Sequence, residues 1–321
     1  MKRVGFGVIG LGRHGTRYAE HILNDIPDAG LVAVSRRNEE AGSAYAGERG
    51  IAYYRDYGRL IRDDRIEAVV IVATPNLNRE IAVQAARAGK HILVEKPFAF
   101  SVKDAETMIK EAEKSRIKLM VAQTLRYNPV LVEMKKRKEE IGPLHTIIAS
   151  QRYESLERGW KREKKIAGGG NIFDLGVHVF DLIRWISGGE VKSVYCETDH
   201  IVNPDLEDSF VAVLALKSGI KCVVDSCRYT KSRSGRIELV GEEEQLIGDF
   251  VHGSLLRLCG QEMLPVRVPE DIPTVKGVLQ DFCDSIIHDT VPPITGFEGL
   301  KTVQITEACY LSAKTGKTVS L

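Results

Sequence analysis

Through the first 122 residues, short apolar runs alternate with stretches of helical spacing. Val4 to Ile9 is one such run, and Gly10, Gly12 and Gly15 follow it directly. Thr16 to Asn24 then has helical periodicity, and Leu31 to Val34 reads as a second strand. The alternation continues with helices over 38–49, 57–61, 77–88 and 102–115, and strands over 51–53, 68–73, 91–94 and 118–122. Strands this apolar, separated by helices, predict a parallel sheet covered on both faces.

After Gln123 the pattern changes. A helix is predicted over 128–140, with Pro129 in its first turn, then a strand over 146–152. Gly168-Gly169-Gly170 introduces a helical stretch over 171–186. From Val191 onward strands arrive without long helices between them, over 191–197, 209–216, 220–225, 236–240 and 245–249, with shorter pieces near 255–258 and 264–268. A broad, mostly antiparallel sheet with one face on the 171–186 helix is expected. Helices over 275–287 and 296–313 close the chain and are expected to return to the first domain. The fold class is therefore α/β, with a Rossmann-type domain over 1–122 and a second α/β domain over 123–321, hinged near 122–128.

Composition narrows the function. The chain has 321 residues, 43% of them hydrophobic, enough for two cores. Forty-five Lys plus Arg oppose 44 Asp plus Glu, so no nucleic-acid surface is indicated. The basic run Lys135 to Lys138 meets Glu139 and Glu140 at once and reads as a solvated helix face. Six cysteines form no CxxC pair, which suits a reducing compartment. The run from Val4 to Gly12 is too short for a secretory core, and no uninterrupted apolar stretch suggests a membrane span. A cytoplasmic enzyme is expected.

Gly10-Leu11-Gly12-Arg13-His14-Gly15 fits GxGxxG in the strand, turn, helix context that gives this motif meaning. Gly10 permits the turn, Gly12 leaves room for a pyrophosphate, and Gly15 lets helix and strand approach. A nicotinamide dinucleotide is the expected cofactor. An NAD site usually has a carboxylate at the end of the second strand, to meet the ribose hydroxyls. Here Ser35, Arg36 and Arg37 stand there instead, donors suited to a 2'-phosphate, so NADP is favoured and NAD kept open. Ala73-Thr74-Pro75-Asn76 and Glu95-Lys96-Pro97 end the next strands, where ligands bind in parallel α/β sheets. In the second domain, Asp174, His178 and Asp181 would share one face of a helix.

These motifs together resemble the glucose-fructose oxidoreductase / inositol dehydrogenase / rhizopine catabolism (Gfo/Idh/MocA) family. The likeness rests on GVIGLGRHG at 7–15, VVIVATPN at 69–76, GKHILVEKPFAFS at 89–101, GGGNIFDLGVHVFDLIRW at 168–185 and SAKTGKTVSL at 312–321. The resemblance implies that Lys96 sits beside the reacting hydroxyl, that Asp174 and His178 are the acid and the histidine of a DxGxH pattern, and that Glu95 orients Lys96 or meets the nicotinamide ribose. One departure is Arg79, where the family often has histidine three residues after the TPN asparagine. Dimers or tetramers joined through the second sheet are also implied, a broad sheet needing both faces covered.

Chemistry agrees with those roles. A hydride leaves carbon only as the hydroxyl loses its proton, and His178, with an imidazole reference pKa of about 6.5, is suited to accept it. Asp174 can fix the ring or bind a substrate hydroxyl, and Lys96 can stabilise the oxyanion. Arg126, Tyr127, Arg152, Tyr153 and Trp160 are further pocket candidates, with Arg126, Arg152 and Trp160 taken as substrate contacts. The histidines include no HxxxH or HExxH cluster, so no metal is expected. The activity indicated is oxidoreduction of a hydroxyl or keto carbon in a sugar, inositol or related polyol. Two alternatives stay open: a non-sugar substrate such as a dihydrodiol, nucleotide sugar or linear tetrapyrrole, and a non-catalytic NADP sensor.

Overall fold

A computed structural model describes residues 3–155, 159–270 and 273–321. The chain divides into two compact units, 1–124 with 273–300, and 125–272 with 301–321.

The first unit runs β1 (Val4–Ile9), α1 (Arg13–Asn24), β2 (Ala29–Ser35), α2 (Glu39–Arg49), β3 (Ala52–Tyr54), α3 (Tyr57–Ile61), β4 (Ala68–Ile71), α4 (Pro75–Arg87), β5 (His91–Glu95), α5 (Val102–Lys114) and β6 (Leu119–Ala122). The six strands are all parallel, in the order β3-β2-β1-β4-β5-β6. Every residue of β1, β4 and β6 is buried, which explains why these strands read as continuous apolar runs. The strand order reverses between β1 and β4, the place where such sheets bind ligands.

The second unit contains α6 (Pro129–Arg137), β7 (Leu144–Glu154), α7 (Lys164–Ala167), a π-helical turn (Ile172–Gly176), α8 (Val177–Ser187), β8 (Val191–Asp199), β9 (Ser209–Leu216), β10 (Lys221–Thr230), β11 (Ser234–Gly241), β12 (Gln245–Asp249), β13 (Ser254–Cys259) and β14 (Glu262–Pro265). Next come α9 (Thr274–Ile287), which falls in the first unit, α10 (Gly296–Thr315), whose residues divide between the two, and β15 (Val319–Ser320), in the second. In the first unit, Phe282 of α9 meets Phe6 of β1 edge-on, with ring centroids 6.1 Å apart. The second sheet has nine strands, β14-β13-β12-β11-β7-β10-β9-β8-β15, antiparallel throughout except for the parallel pair β7 and β10.

Strand alternation sends Ile147 and Ala149 of β7, Ala212 and Leu214 of β9 and Leu239 of β11 into a core with Phe180, Leu182 and Ile183 of α8. The intervening positions on the opposite side leave Ile148, Val211 and Val213 at 40%, 47% and 44% exposure. By length and composition alone, Lys164–Ser187 could cross a membrane, but 72% of its apolar window is buried inside the protein.

The structure amends two helices. That expected over 128–140 ends at Arg137 and tightens into a 3-10 turn over Lys138–Ile141. That expected over 171–186 opens with the π turn before α8. Strand β15 had no signal, being only two residues long.

Candidate active site

The glycine loop of the first unit assigns a separate reason to each glycine. Gly10 has φ +97°, and a Cβ there would lie 2.4 Å from the Val72 carbonyl oxygen. At Gly15 a Cβ would lie 2.1 Å from the Gly10 carbonyl oxygen, so only glycine lets α1 start this close to the strand. Gly12 has extended backbone, and a Cβ there would meet nothing within 4 Å. Protein packing therefore does not explain that glycine, whereas a pyrophosphate resting on the backbone would. Gly12 also stands at the N-cap of α1, where it makes no side-chain hydrogen bond, and a helix N-terminus favours an anion.

The backbone N–H groups of Gly10 and Leu11 donate to the Ser35 carbonyl at 3.0 and 3.2 Å, tying the loop to the end of β2. Ser35 is buried, Arg36 half-buried and Arg37 exposed, as are Arg13 and His14. The Tyr53 hydroxyl donates to the Arg36 carbonyl at 2.8 Å, and its ring occupies the space a Gly42 Cβ would need. Beside this turn lies an open groove of about 700 Å³ lined by Arg37, Arg55, Arg59, Tyr53 and Tyr54. Its carboxylates have partners already. Glu39 pairs with Arg55 at 3.7 Å, and Asp56 accepts the Gly58 N–H at 2.9 Å.

Thr74 is the N-cap of α4, with Pro75 in the first turn, Ala73 half-buried and Asn76 exposed. Asn78, one turn on, is buried and donates to the carbonyls of Pro97 and Phe98 at 2.9 and 3.4 Å. It braces the turn that carries Lys96, whose peptide bond to Pro97 is cis. Glu95 accepts the Tyr18 hydroxyl at 2.7 Å and the Lys96 backbone N–H at 2.9 Å. Arg79, at the family's histidine position, pairs with Asp104 at 3.1 Å.

In the second unit, residues 171–184 are buried except Asp174 and His178, which are half-buried. This half-buried acid and imidazole are the candidate catalytic groups of the segment. Asp174 accepts Lys161 Nζ on both oxygens, at 2.8 and 2.9 Å, and Arg228 Nη2 at 2.5 Å. Asp181 does not join Asp174 and His178: it is buried and accepts a two-pronged bond from Arg126 at 2.8 and 2.7 Å. Arg126, expected at the substrate, is thus buried against α8. Arg152 donates to the Asp225 carbonyl at 2.9 Å and also meets its carboxylate. Tyr153 lies under two guanidinium groups, Arg233 at 4.9 Å and Arg228 at 5.9 Å, and burial pushes its phenol above the usual range. Trp160 is 37% exposed, with Lys161 Nζ 5.8 Å from its ring.

Sequence reasoning missed the group that holds the turn before α8. The Glu207 carboxylate accepts the backbone N–H groups of Gly170 and Ile172, each at 3.0 Å, and the Tyr310 hydroxyl at 2.7 Å. Burial pushes this carboxyl above the usual range, opposed by those hydrogen bonds. A Cβ on Gly169 would lie 2.0 Å from the Tyr310 oxygen, and one on Gly170 2.0 Å from the Glu207 carbonyl oxygen. The available signal was the glycine run itself, which marks a close approach without saying of what. Among the described residues, no group of three or more His, Cys, Asp or Glu is placed to hold a metal ion.

Residues 4–123 match the model of an oxidoreductase family with an NAD-binding Rossmann fold, and residues 134–247 match the Gfo/Idh/MocA C-terminal domain. The chain belongs to the Gfo/Idh/MocA oxidoreductase family. It is 31% identical to a myo-inositol 2-dehydrogenase of Thermotoga maritima over 266 residues, which cover 80% of this chain and 78% of that one. A crystal structure of an aldose-aldose oxidoreductase from Caulobacter crescentus, 24% identical, shares the fold with a TM-score of 0.91 over the full length of both chains. GenD2 of gentamicin A biosynthesis, solved in complex with NAD, is 25% identical with a TM-score of 0.90 over 100% of this chain and 97% of its own. This Gfo/Idh/MocA protein is accordingly an oxidoreductase with a nicotinamide-dinucleotide-binding domain.

Proposed function

We propose that this Gfo/Idh/MocA protein is an NADP-preferring dehydrogenase or reductase of a hydroxyl or keto carbon in a sugar, inositol or related polyol. The observation that carries the reading is that Asp174 and His178 are the two half-buried residues of an otherwise buried 171–184 segment, in a chain whose Gly12 has room for a pyrophosphate. The names of the inositol and aldose relatives support the substrate class.

The residues that would hold the dinucleotide are the 10–15 loop, with Ser35, Arg36 and Arg37 at the adenosine ribose and Ala73 to Asn76, Glu95 and Lys96 along the strand ends. When bound, the nicotinamide supplies the hydride acceptor or donor. His178 takes the hydroxyl proton as the alcohol is oxidised and returns it in the reverse direction. Lys96, set by Glu95 and the Asn78 brace, stabilises the oxygen as charge develops. Asp174 orients a neighbouring hydroxyl. Arg152 and Trp160 remain substrate contacts in this reading, and Arg126 acts through Asp181 as a positioning residue.

The NADP preference rests on the guanidinium groups of Arg36 and Arg37, the absence of a carboxylate at the end of β2, and the groove that Arg55 and Arg59 extend. The exposed side of the second sheet around Val211 and Val213 suits a homodimer or homotetramer contact, and a cytoplasmic setting suits the unpaired cysteines.

The test is reduced-nicotinamide absorbance with a panel of inositols, aldoses and anhydro sugars, each with NADP and with NAD. Turnover favouring NADP, lost in His178→Ala and shifted toward NAD in Arg36→Ala/Arg37→Ala, is the expected result. Nucleotide binding without turnover in either direction would favour the sensor instead.

A further inference from the structure

We propose that Arg55 and Arg59, which lie outside both the glycine loop and the turn after β2, are specificity-determining residues for the nucleotide. With Arg37 they hold the 2'-phosphate of the adenosine ribose, and Glu39 opposes them. This rests on the NADP reading above and names the groups that set its strength.

The groove they line belongs wholly to the first unit. Parallel pairing of β2 with β3 sets Ser35 beside Tyr54, so the chain leaving β3 at Arg55 runs next to the chain leaving β2 at Arg36 and Arg37. Arg59 follows in α3. Guanidinium groups from three segments therefore meet on one open groove of about 700 Å³, next to the strand end that lacks a carboxylate.

The aromatic walls of the groove are tethered. The Tyr53 hydroxyl donates to the Arg36 carbonyl at 2.8 Å, and the Tyr54 hydroxyl donates to the Asp63 carboxylate at 3.0 Å. The cations are held far more loosely. Arg37, Arg55 and Arg59 are all exposed, and among the described residues Arg37 and Arg59 make no hydrogen bond or ion pair. Arg55 meets Glu39 at 3.7 Å, with the two side chains 72% and 68% exposed. A pair that long and that wet is weak and screened by salt. Asp56, the other carboxylate of the groove, is turned to capping α3 through the Gly58 N–H at 2.9 Å.

A phosphate monoester carries a charge of about −1.5 to −2 at neutral pH and three acceptor oxygens. It can draw Arg55 away from Glu39 and engage Arg37 and Arg59 together through charge-assisted hydrogen bonds. The ribose hydroxyl of NAD, being neutral, offers these cations no counter-charge. Glu39 works against the phosphate twice, by like-charge repulsion and by occupying Arg55. The arginines and the glutamate therefore push selectivity in opposite directions.

The experiment titrates the full chain by calorimetry with 2'-phospho-ADP-ribose and with ADP-ribose, two probes that differ only in the phosphate. The readout is the ratio of their affinities in the wild type, in Arg55→Gln/Arg59→Gln, in Glu39→Gln and in Arg62→Gln, an exposed arginine after α3 that does not line the groove. The wild type should prefer the phosphorylated probe by about tenfold or more, and the preference should shrink as salt is raised. It should fall by about tenfold in the double arginine variant, rise by about twofold or more in Glu39→Gln and stay level in Arg62→Gln, while ADP-ribose binds all four alike. The substituted side chains are exposed, and thermal melts confirm that each variant folds. A preference that survives intact in Arg55→Gln/Arg59→Gln, or that falls in Glu39→Gln, would overturn the inference and leave NADP selection to Arg36 and Arg37. Equal binding of the two probes by the wild type would overturn the NADP reading as well.

Discussion

The guanidinium of Arg126 lies edge to edge with the carboxylate of Asp181, Nε to Oδ2 at 2.8 Å and Nη2 to Oδ1 at 2.7 Å, three residues beyond His178. Both side chains are buried, Asp181 to 1% exposure. The pair fixes the segment after β6 to the helix that carries the proposed base. Removing one partner leaves a buried charge without its counter-ion, which costs about 3–5 kcal/mol. Arg126→Ala or Asp181→Ala should therefore destabilise the chain by that amount in urea unfolding, and Arg126→Met/Asp181→Leu by less than either. Equal or greater loss in the double variant would show that the pair is not the stabilising unit.

Glu207 should behave as a positioning residue. In Glu207→Ala the N–H groups of Gly170 and Ile172 and the Tyr310 hydroxyl lose their acceptor, each at a cost of about 1–3 kcal/mol when buried. The turn that carries Asp174 would loosen. Expected are a fall in kcat of about tenfold or more and unchanged nucleotide affinity, since the glycine loop belongs to the other unit. Calorimetric titration of nucleotide beside steady-state kinetics separates the two effects.

Gly12 and Gly15 should respond oppositely to the same added methyl group. Gly12→Ala has open space and compatible backbone, so its melting temperature should be unchanged while nucleotide affinity falls by about tenfold or more. Gly15→Ala pushes a Cβ to 2.1 Å from the Gly10 carbonyl oxygen and should lower the melting temperature even without nucleotide. Retained affinity in Gly12→Ala would remove the pyrophosphate from that position.

Stability should also depend on His91. Burial lowers its pKa, and the Lys118 charge lowers it further. Its Nδ1 accepts the Lys118 backbone N–H at 3.0 Å, a bond only the neutral ring can accept. The unfolded chain therefore binds this proton more readily than the folded one. The contribution is fully present above the unfolded value of about 6.5 and is lost as pH falls below it toward the depressed folded value. Unfolding free energy measured from pH 7.5 down to 5.5 should decline, and the slope should flatten in His91→Gln. An unchanged slope in that variant would assign the pH dependence elsewhere.

Much of this was legible in the chain because it is local. Apolar runs separated by helical spacing specify a parallel sheet, since each strand must be covered on both faces, and the glycine loop specifies its turn through φ and close approach. The lone acid and imidazole at 174 and 178 were visible as a spacing, and so was the carboxylate missing from the end of β2. Partner choice across long separations was not legible. Asp181 looked equivalent to Asp174 and His178 by helical periodicity, yet Arg126, 55 residues earlier, holds it in the core. Gly169 and Gly170 are small because Tyr310 and Glu207 press on them, and the parallel register of β7 beside β10 comes from strands 70-odd residues apart. Periodicity determines which side of an element is apolar, because burial of apolar area acts residue by residue. Which buried charge meets which is a pairwise matter, and only the folded chain, by bringing distant groups within hydrogen-bond range, decided that Asp174 faces Lys161 and Arg228 while Asp181 faces Arg126.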